Sequence, residues 1–240
     1  MKTTLIILSS LSLLITSCGN EQNQQLSGIE QEVLEATEAE GLKAEDFIGK
    51  IDELLTLEMA AEVAGLPANS AEKDYSKISS LESLKYEWES DCVKKVSING
   101  QSLNVPLANS IELSWVKNTT LTQFKHDYHN PTPEEIKNAK AAMDKKSAEL
   151  AAEGKASREQ TELANKIAQG SISKLKVEEV PNLGEYAVFV NTELMGASAR
   201  DLKVFYKGLS FTLNVDLKDD PAYNDQKAIE TARKIIQEKL

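Results

Sequence analysis

Aromatic residues and positive charge are both scarce in this chain. Phe, Trp and Tyr make up 5% of its 240 residues, which disfavours a carbohydrate-binding module with stacking platforms. The 27 Lys and Arg residues oppose 38 Asp and Glu, so the net charge is −11. Because nucleic-acid phosphates require clustered basic side chains, this balance argues against a nucleic-acid partner. It also argues against docking of the folded domain on anionic lipid head groups.

The apolar run at the amino terminus is too short to span a bilayer. Lys2 precedes it, it extends from Leu5 to Ile15, and several serines interrupt it. A spanning helix needs about 20 mostly apolar residues, so the run is typical of a secretory signal rather than of a transmembrane anchor. Cys18 stands where the small-residue cleavage site is expected.

The residues before that cysteine, Ile15-Thr16-Ser17-Cys18, resemble the lipobox of a bacterial lipoprotein signal. The resemblance implies that residues 1–17 are removed, that Cys18 receives a thioether lipid, and that the new amino terminus is acylated, as by palmitate. Two or three lipid chains anchor a protein durably. Gly19 stands in place of the aspartate associated with inner-membrane retention, which implies the outer membrane and the periplasm. The alternative is a plain secretory peptide that contains a cysteine.

The mature chain divides by composition into a tether and a folded part. Residues 18–28 are polar and predict a flexible tether. Residues 29–240 predict an α+β domain, or two similar halves at 45–120 and 175–240 that a helical segment at 131–170 joins. This fold class, an antiparallel sheet with packed helices and a helical hairpin insertion, follows from the patterns below.

Helical spacing is clearest after Ile51. Thr56 is placed to cap a helix that Gly65 ends and Pro67 follows. Further along, Thr132, Pro133 and two glutamates predict a helix over 133–153, and Ser157 a second over 158–169. Their thin apolar stripe favours solvated helices over a partner-binding face. A last helix is predicted over 225–239.

Alternating apolar residues predict strands on both sides of the 131–170 segment. Leu84, Tyr86 and Trp88 share one face, and Ile111, Leu113 and Trp115 share another. Two turn signals, Asn99-Gly100 and Lys207-Gly208, predict tight hairpins. The predicted strands lie at 84–90, 93–98, 103–105, 111–116, 186–190, 202–206 and 209–215, and the first four of them form a meander with one wet face.

The order of these motifs resembles that of a group of uncharacterised secreted lipoprotein domains. A helix ending in Gly65-Leu66-Pro67 precedes the strand motif Tyr86-Glu87-Trp88, and Leu183-Gly184-Glu185-Tyr186-Ala187 leads into a hairpin and a terminal helix. The resemblance covers residues 50–117 and 183–239. It implies an α+β fold in the cell envelope and brings no activity with it.

Candidate chemistry is confined to a few residues. His126 and His129 are the chain's two histidines, and their His-x-x-His spacing could chelate zinc or copper, although the segment reads as a loop without a third ligand. Cys92 is left without a partner if Cys18 carries lipid, and it is then either partly buried or able to pair between molecules. No nucleophile elbow, phosphate loop or calcium loop occurs. No cofactor is expected.

The sequence therefore predicts a non-enzymatic lipoprotein of the cell envelope that binds a protein or a small ligand. A divergent hydrolase or metal-handling protein using His126 and His129 is the alternative. A third hypothesis is a structural subunit of an envelope complex that acts through Trp88, Trp115 or the 131–170 helices.

Overall fold

The alternating segments assemble into one antiparallel sheet of seven strands. A computed structural model describes residues 41–79, 81–90, 93–98, 101–106, 109–152, 157, 175–194 and 197–240. The strand order is β1-β2-β5-β9-β8-β7-β6, and β3 pairs with β4 in a separate two-stranded ladder. The strands are β1 (Glu72–Ile78), β2 (Leu81–Trp88), β3 (Val93–Ile98), β4 (Gln101–Pro106), β5 (Asn109–Asn118), β6 (Lys176–Glu179), β7 (Tyr186–Leu194), β8 (Ala197–Tyr206) and β9 (Leu209–Asp216).

Helices complete this unit, which comprises residues 36–131 and 170–240. They are α1 (Ile51–Leu54), α2 (Leu57–Ala64), α3 (Leu121–Asp127) and α5 (Pro221–Glu238), with 3₁₀ turns at Ala44–Phe47 and Ala68–Ser70. The predicted α+β class is confirmed. Strands from the 45–120 and 175–240 segments lie in the same sheet, where β5 pairs with β9.

Local chemistry sets the ends of α2 as the sequence predicted. The Thr56 hydroxyl accepts a hydrogen bond from the Met59 amide (3.2 Å) and caps the amino end. Gly65 adopts the left-handed conformation with φ of 68°, and the Leu66 amide bonds back to the Ala61 carbonyl (3.1 Å), which closes the helix. The terminal helix α5 begins four residues earlier than predicted, because Asp220 caps it and Pro221 is its first residue.

One face of the sheet is apolar, and α1, α2 and α5 contribute buried residues to its core. Alternate residues of the central strands point into this core and are fully buried. Trp88 also belongs to it, and its indole N–H donates to the Pro67 carbonyl (2.9 Å). The strands' fully buried contributors are Leu84, Ile111, Leu113, Ala187, Leu202, Val204, Phe211 and Leu213.

The opposite face has a smaller apolar cluster under α3. Phe124 of this helix is buried with Val188, Val190 and Phe205 of β7 and β8. Its ring meets the Tyr128 ring edge-on, with centroids 4.8 Å apart. The loop predicted for this segment is wrong, because Leu121–Asp127 is helical. Thr120 caps α3 by accepting from the Gln123 amide (3.0 Å).

The strand pattern differs from the expected one in three places. The predicted meander was wrong, because β2 pairs directly with β5 while β3 and β4 form their own ladder. Strands β1 and β6 were not predicted. The alternation also breaks inside β5, where a bulge between Ser114 and Lys117 leaves Trp115 exposed rather than beside Leu113.

The Lys207-Gly208 hairpin is confirmed, with φ of 47° and 79° at the two turn residues. The Asn99-Gly100 turn lies outside the described residues.

Helix α4 (Pro133–Ala152) belongs to the second unit, within residues 132–169. Its start is the predicted one and forms a reciprocal capping box. The Glu135 amide donates to the Thr132 hydroxyl (3.2 Å), and the Glu135 carboxylate accepts from the Thr132 amide (2.7 Å). The predicted second helix, 158–169, lies outside the described residues.

Candidate functional site

The two histidines lie at the carboxyl end of α3. His126 is exposed in the last helical turn, and His129 follows the helix. Their rings stack with centroids 5.9 Å apart. His129 Nδ1 lies 2.6 Å from the His126 carbonyl oxygen, and since a carbonyl only accepts, Nδ1 carries the proton and is not free to bind metal. Over the described residues, no group of three or more His, Cys, Asp and Glu side chains could hold a metal ion.

A polar surface lies on the second sheet face, beside the α3 cluster. Cross-strand register places polar side chains opposite one another in three rows. We call this surface the polar face. Its rows are Glu72-Glu87-Ser110-Asp216, Asp74-Lys85-Glu112-Asn214-Asp201 and Ser76-Ser83-Ser114-Thr212-Lys203.

Glu112 occupies the middle of the polar face, on the central strand β5. It lies between Lys85 of β2 and Asn214 of β9 in the register. Burial raises the pKa of Glu112; the charge of Lys85 opposes this shift and that of Asp201 adds to it. Among the described residues, none donates a hydrogen bond to this carboxylate. Its oxygens reach solvent, so water can supply the donors and the carboxylate is an accessible acceptor in the middle of the surface.

The neighbours of Glu112 are engaged elsewhere. The Lys85 ammonium binds Glu87 at 2.6 Å, and the Asn214 amide donates to Asp201 at 3.0 Å. Lys203 also binds Asp201, at 3.0 Å. The short hydroxyl side chains between these groups are buried in the central strands. The polar face therefore combines a fixed network with one carboxylate that the network does not satisfy.

A second polar cluster lies on the helix-covered face and has a structural role. The Arg200 guanidinium binds Asp225 of α5 (2.7 Å) and Glu178 of β6 (2.8 Å), and stacks over the Phe189 ring. Hydrogen bonds from Lys176 and Arg200 lower the pKa of Glu178 to about 2. The cluster joins the terminal helix to the edge of the sheet, and its charges are mutually compensated.

A shallow depression lies at the β1–β2 end of the sheet, beside the buried carboxylate of Glu82. Burial alone would raise the pKa of Glu82, but donors outweigh it and the pKa is lowered. Lys77 binds the carboxylate at 2.7 Å, and the Gly49 amide donates to it at 2.9 Å. The depression is lined by Ala44, Phe47, Ile48, Ile51, Glu82 and Val116.

The residues predicted to form a site differ from those that the structure brings together. Cys18 and Cys92 lie outside the described residues, and Trp88 is a core residue. Glu112 was not selected, although its strand carries the signal, since Ser110, Glu112 and Ser114 alternate with apolar residues. The missing information was which strands are neighbours.

No family model, no curated protein and no solved structure matches this chain. Within the part of the chain that the structure describes, no helix has the length and apolar character needed to cross a membrane.

Proposed function

We propose that this protein is a lipoprotein of the cell envelope that binds a ligand or a protein partner through the polar face. It is attached to the outer membrane by lipid on Cys18, and it performs no catalysis of its own. The lipobox resemblance of Ile15-Thr16-Ser17-Cys18 supports the attachment.

Glu112 is the observation that carries the binding proposal. The Glu112 carboxylate reaches solvent but is partly desolvated, and this desolvation, which raises its pKa, costs folding free energy. A bound N–H donor or cation would compensate that cost. The polar face holds six carboxylates and two lysines, so its complement is a partner that presents lysine, arginine or amine groups.

The composition of the polar face favours binding over catalysis. It contains hydroxyls, amides, carboxylates and lysines but no histidine or cysteine. The general base of a Ser–His or Cys–His pair is therefore absent from this surface. A rigid array of polar groups on neighbouring strands is suited to recognition, because the sheet fixes the spacing of the groups.

A pull-down tests the binding proposal. The tagged, lipidated protein is purified in mild detergent from its own membranes, and mass spectrometry identifies what co-purifies. We expect a partner or ligand that wild type retains, that Glu112→Gln loses, and that added salt weakens. Glu53→Gln is the matched control, since it removes the same charge from an exposed position of α1, outside the polar face.

Cys18→Ala tests the attachment separately. It should release the protein from the membrane fraction or leave the signal uncleaved. Unchanged membrane association of Cys18→Ala would refute the anchor. Identical co-purifying species for wild type and Glu112→Gln would refute the role of the polar face.

A further inference from the structure

Exposed apolar side chains gather at one end of the sheet. The described residues include seven large exposed hydrophobic side chains. Three of them lie where β1 ends, β2 begins and β5 ends, and a fourth, Ile48, lies in the loop before α1. We call these four the apolar rim: Ile48, Ile78, Leu81 and Trp115, which are between 38% and 74% exposed. Apolar patches on a folded surface mark sites of interaction with proteins or membranes.

The four residues lie at the same end of the sheet. Ile78 pairs with Leu81 across the β1–β2 turn. Ile48 lines the shallow depression together with Glu82 and Val116, which follow Leu81 and Trp115 in the chain. The Gly49 amide bonds to the Glu82 carboxylate at 2.9 Å and holds the Ile48 loop in place.

The backbone holds Trp115 out of the core. Its φ is 57°, a left-handed conformation that is costly for a bulky side chain. The β5 bulge creates this conformation. It interrupts the series of side chains, Ile111 and Leu113, that point into the core. Bulges are commonly used to re-aim a side chain at a functional position, and here the result is a tryptophan that is 49% exposed.

The amino-terminal part of the chain joins the domain at this same end. The Leu42 amide donates to the Lys207 carbonyl (2.9 Å) in the β8–β9 turn. The Asn118 side chain donates to the Leu42 carbonyl (2.7 Å) and accepts from the Ala44 amide (2.8 Å). Cys18 is 24 positions before Leu42, a distance of about 80 Å at most if fully extended.

We propose that the apolar rim rests in the interfacial region of the lipid bilayer that holds the protein. The inference depends on the proposed lipid attachment at Cys18. Tethering keeps the bilayer at high effective concentration near this end, so a weak contact suffices. Tryptophan favours the membrane interface, and the exposed Lys43, Lys50 and Lys207 can reach the head groups beside it.

Apolar insertion, not charge, drives this contact. The chain is acidic overall, so attraction to anionic lipid is not expected. Zwitterionic lipid should be sufficient, and added salt should have little effect. The polar face extends along the sheet away from the apolar rim. Strands β3 and β4 lie in the chain between the end of β2 and the start of β5, which are at the opposite end of the sheet.

Tryptophan fluorescence of the lipidated full chain tests the proposal. The protein is reconstituted in phosphatidylcholine vesicles with and without bromine on the acyl chains, and flotation confirms that it is attached. Trp88 is 3% exposed in the core, so Trp115 is the tryptophan that lipid can reach. Brominated lipid should quench the wild type down to the contribution of Trp88, and Trp115→Phe should show no quenching.

Two further variants locate the contact. Ile78→Asp should reduce the quenching by brominated lipid, whereas Val93→Asp should leave it unchanged. Val93 is the matched control because it is also an exposed apolar residue, but lies beyond the opposite end of β2. Both positions are exposed, so neither variant disturbs the core.

Each other outcome overturns the proposal in a recognisable way. If the floated protein is quenched by aqueous acrylamide but not by brominated lipid, the apolar rim faces water. If neither quencher reaches Trp115, a second copy or a protein partner covers it. If the wild-type protein does not float with the vesicles, the lipid attachment itself has failed, and with it the proposed function.

Discussion

The two faces of the seven-stranded sheet are made by the same strands and differ in what covers them. On one face, alternate residues are apolar and are buried with residues of α1, α2 and α5. On the other, the alternate residues of β1, β2, β5 and β9 are polar, and the buried apolar cluster lies only under α3. The period of two along each strand thus separates an apolar face that helices cover from a face that is mostly polar.

The comparison shows where this protein can vary without unfolding. Residues of the covered face contribute transfer free energy and packing, and removal of any one leaves a cavity. Residues of the polar face contribute hydrogen bonds and ion pairs, and those of them that are buried are small side chains whose truncation removes little apolar contact. Along one strand, substitutions on the covered face should therefore lower the free energy of unfolding strongly. Substitutions at the positions between them should lower it less.

Phe211→Ala should have the largest effect. Phe211 is fully buried on the covered face of β9, and Phe-to-Ala substitutions in cores cost about 3–5 kcal/mol of the free energy of unfolding. Denaturant unfolding followed by Trp88 fluorescence measures the loss, because Trp88 lies in the same core.

The adjacent Thr212→Ala is the control, since Thr212 points to the polar face. Thr212 is itself buried, at 4% exposed, but only a methyl and a hydroxyl group are removed, so the loss should stay below about 2 kcal/mol. Equal losses for the two variants would contradict the division between the faces.

Phe124→Ala should have an intermediate effect. It empties the centre of the α3 cluster, at a cost near the lower end of the same range, about 3 kcal/mol, because half-buried neighbours such as Tyr128 can close around the gap. Hydrogen exchange should increase in α3 and β7 more than in α2.

Thr122→Ala, at an exposed position of the same helix, is the control and should stay within about 0.5 kcal/mol of the wild type. Uniform loss of protection across the sheet in Phe124→Ala would show instead that the two clusters unfold as one.

Much of this fold could be predicted from the sequence where one residue determines local geometry. Thr56 and Gly65 bound α2, Thr132 starts α4, and Lys207-Gly208 forms its turn. Strict alternation also placed Leu84, Tyr86 and Trp88 on the covered face. In each case the information is local, in a side chain that caps a helix or in a backbone conformation that glycine permits.

Other features depend on partners distant in the chain. Strand β1 is exposed along its whole length, so it has no apolar alternation to detect. The bulge at Trp115 could not be predicted, because apolar residues in the sequence continue to alternate through it. Helix α3 did carry a signal, Thr120 followed by Gln123 at the third helical position, as in a capping box. The rows of the polar face required the strand order, which the sequence does not contain.

The smallest expected effect is a gain in the free energy of unfolding, and it is caused by a substitution at the centre of the polar face. Glu112→Gln removes a charge whose burial is unfavourable, so at neutral pH the variant should be more stable than wild type, by up to about 1 kcal/mol. Because the pKa of Glu112 is raised in the folded protein, protonation favours the folded state. The stabilisation that protonated Glu112 contributes is therefore fully present below the pKa of this group in the unfolded chain. It is lost as pH rises through the pKa of Glu112 in the folded protein.

The difference between the two proteins should accordingly vanish in acid and grow towards neutral pH, as measured by the denaturation midpoint at each pH. Glu53→Gln, which removes an exposed charge of α1 outside the polar face, should show no gain. A Glu112→Gln variant that is less stable at neutral pH would mean that the carboxylate is satisfied within the protein. A variant that is more stable and yet loses its partner would separate binding from folding, and would show that Glu112 is retained for recognition at the expense of stability.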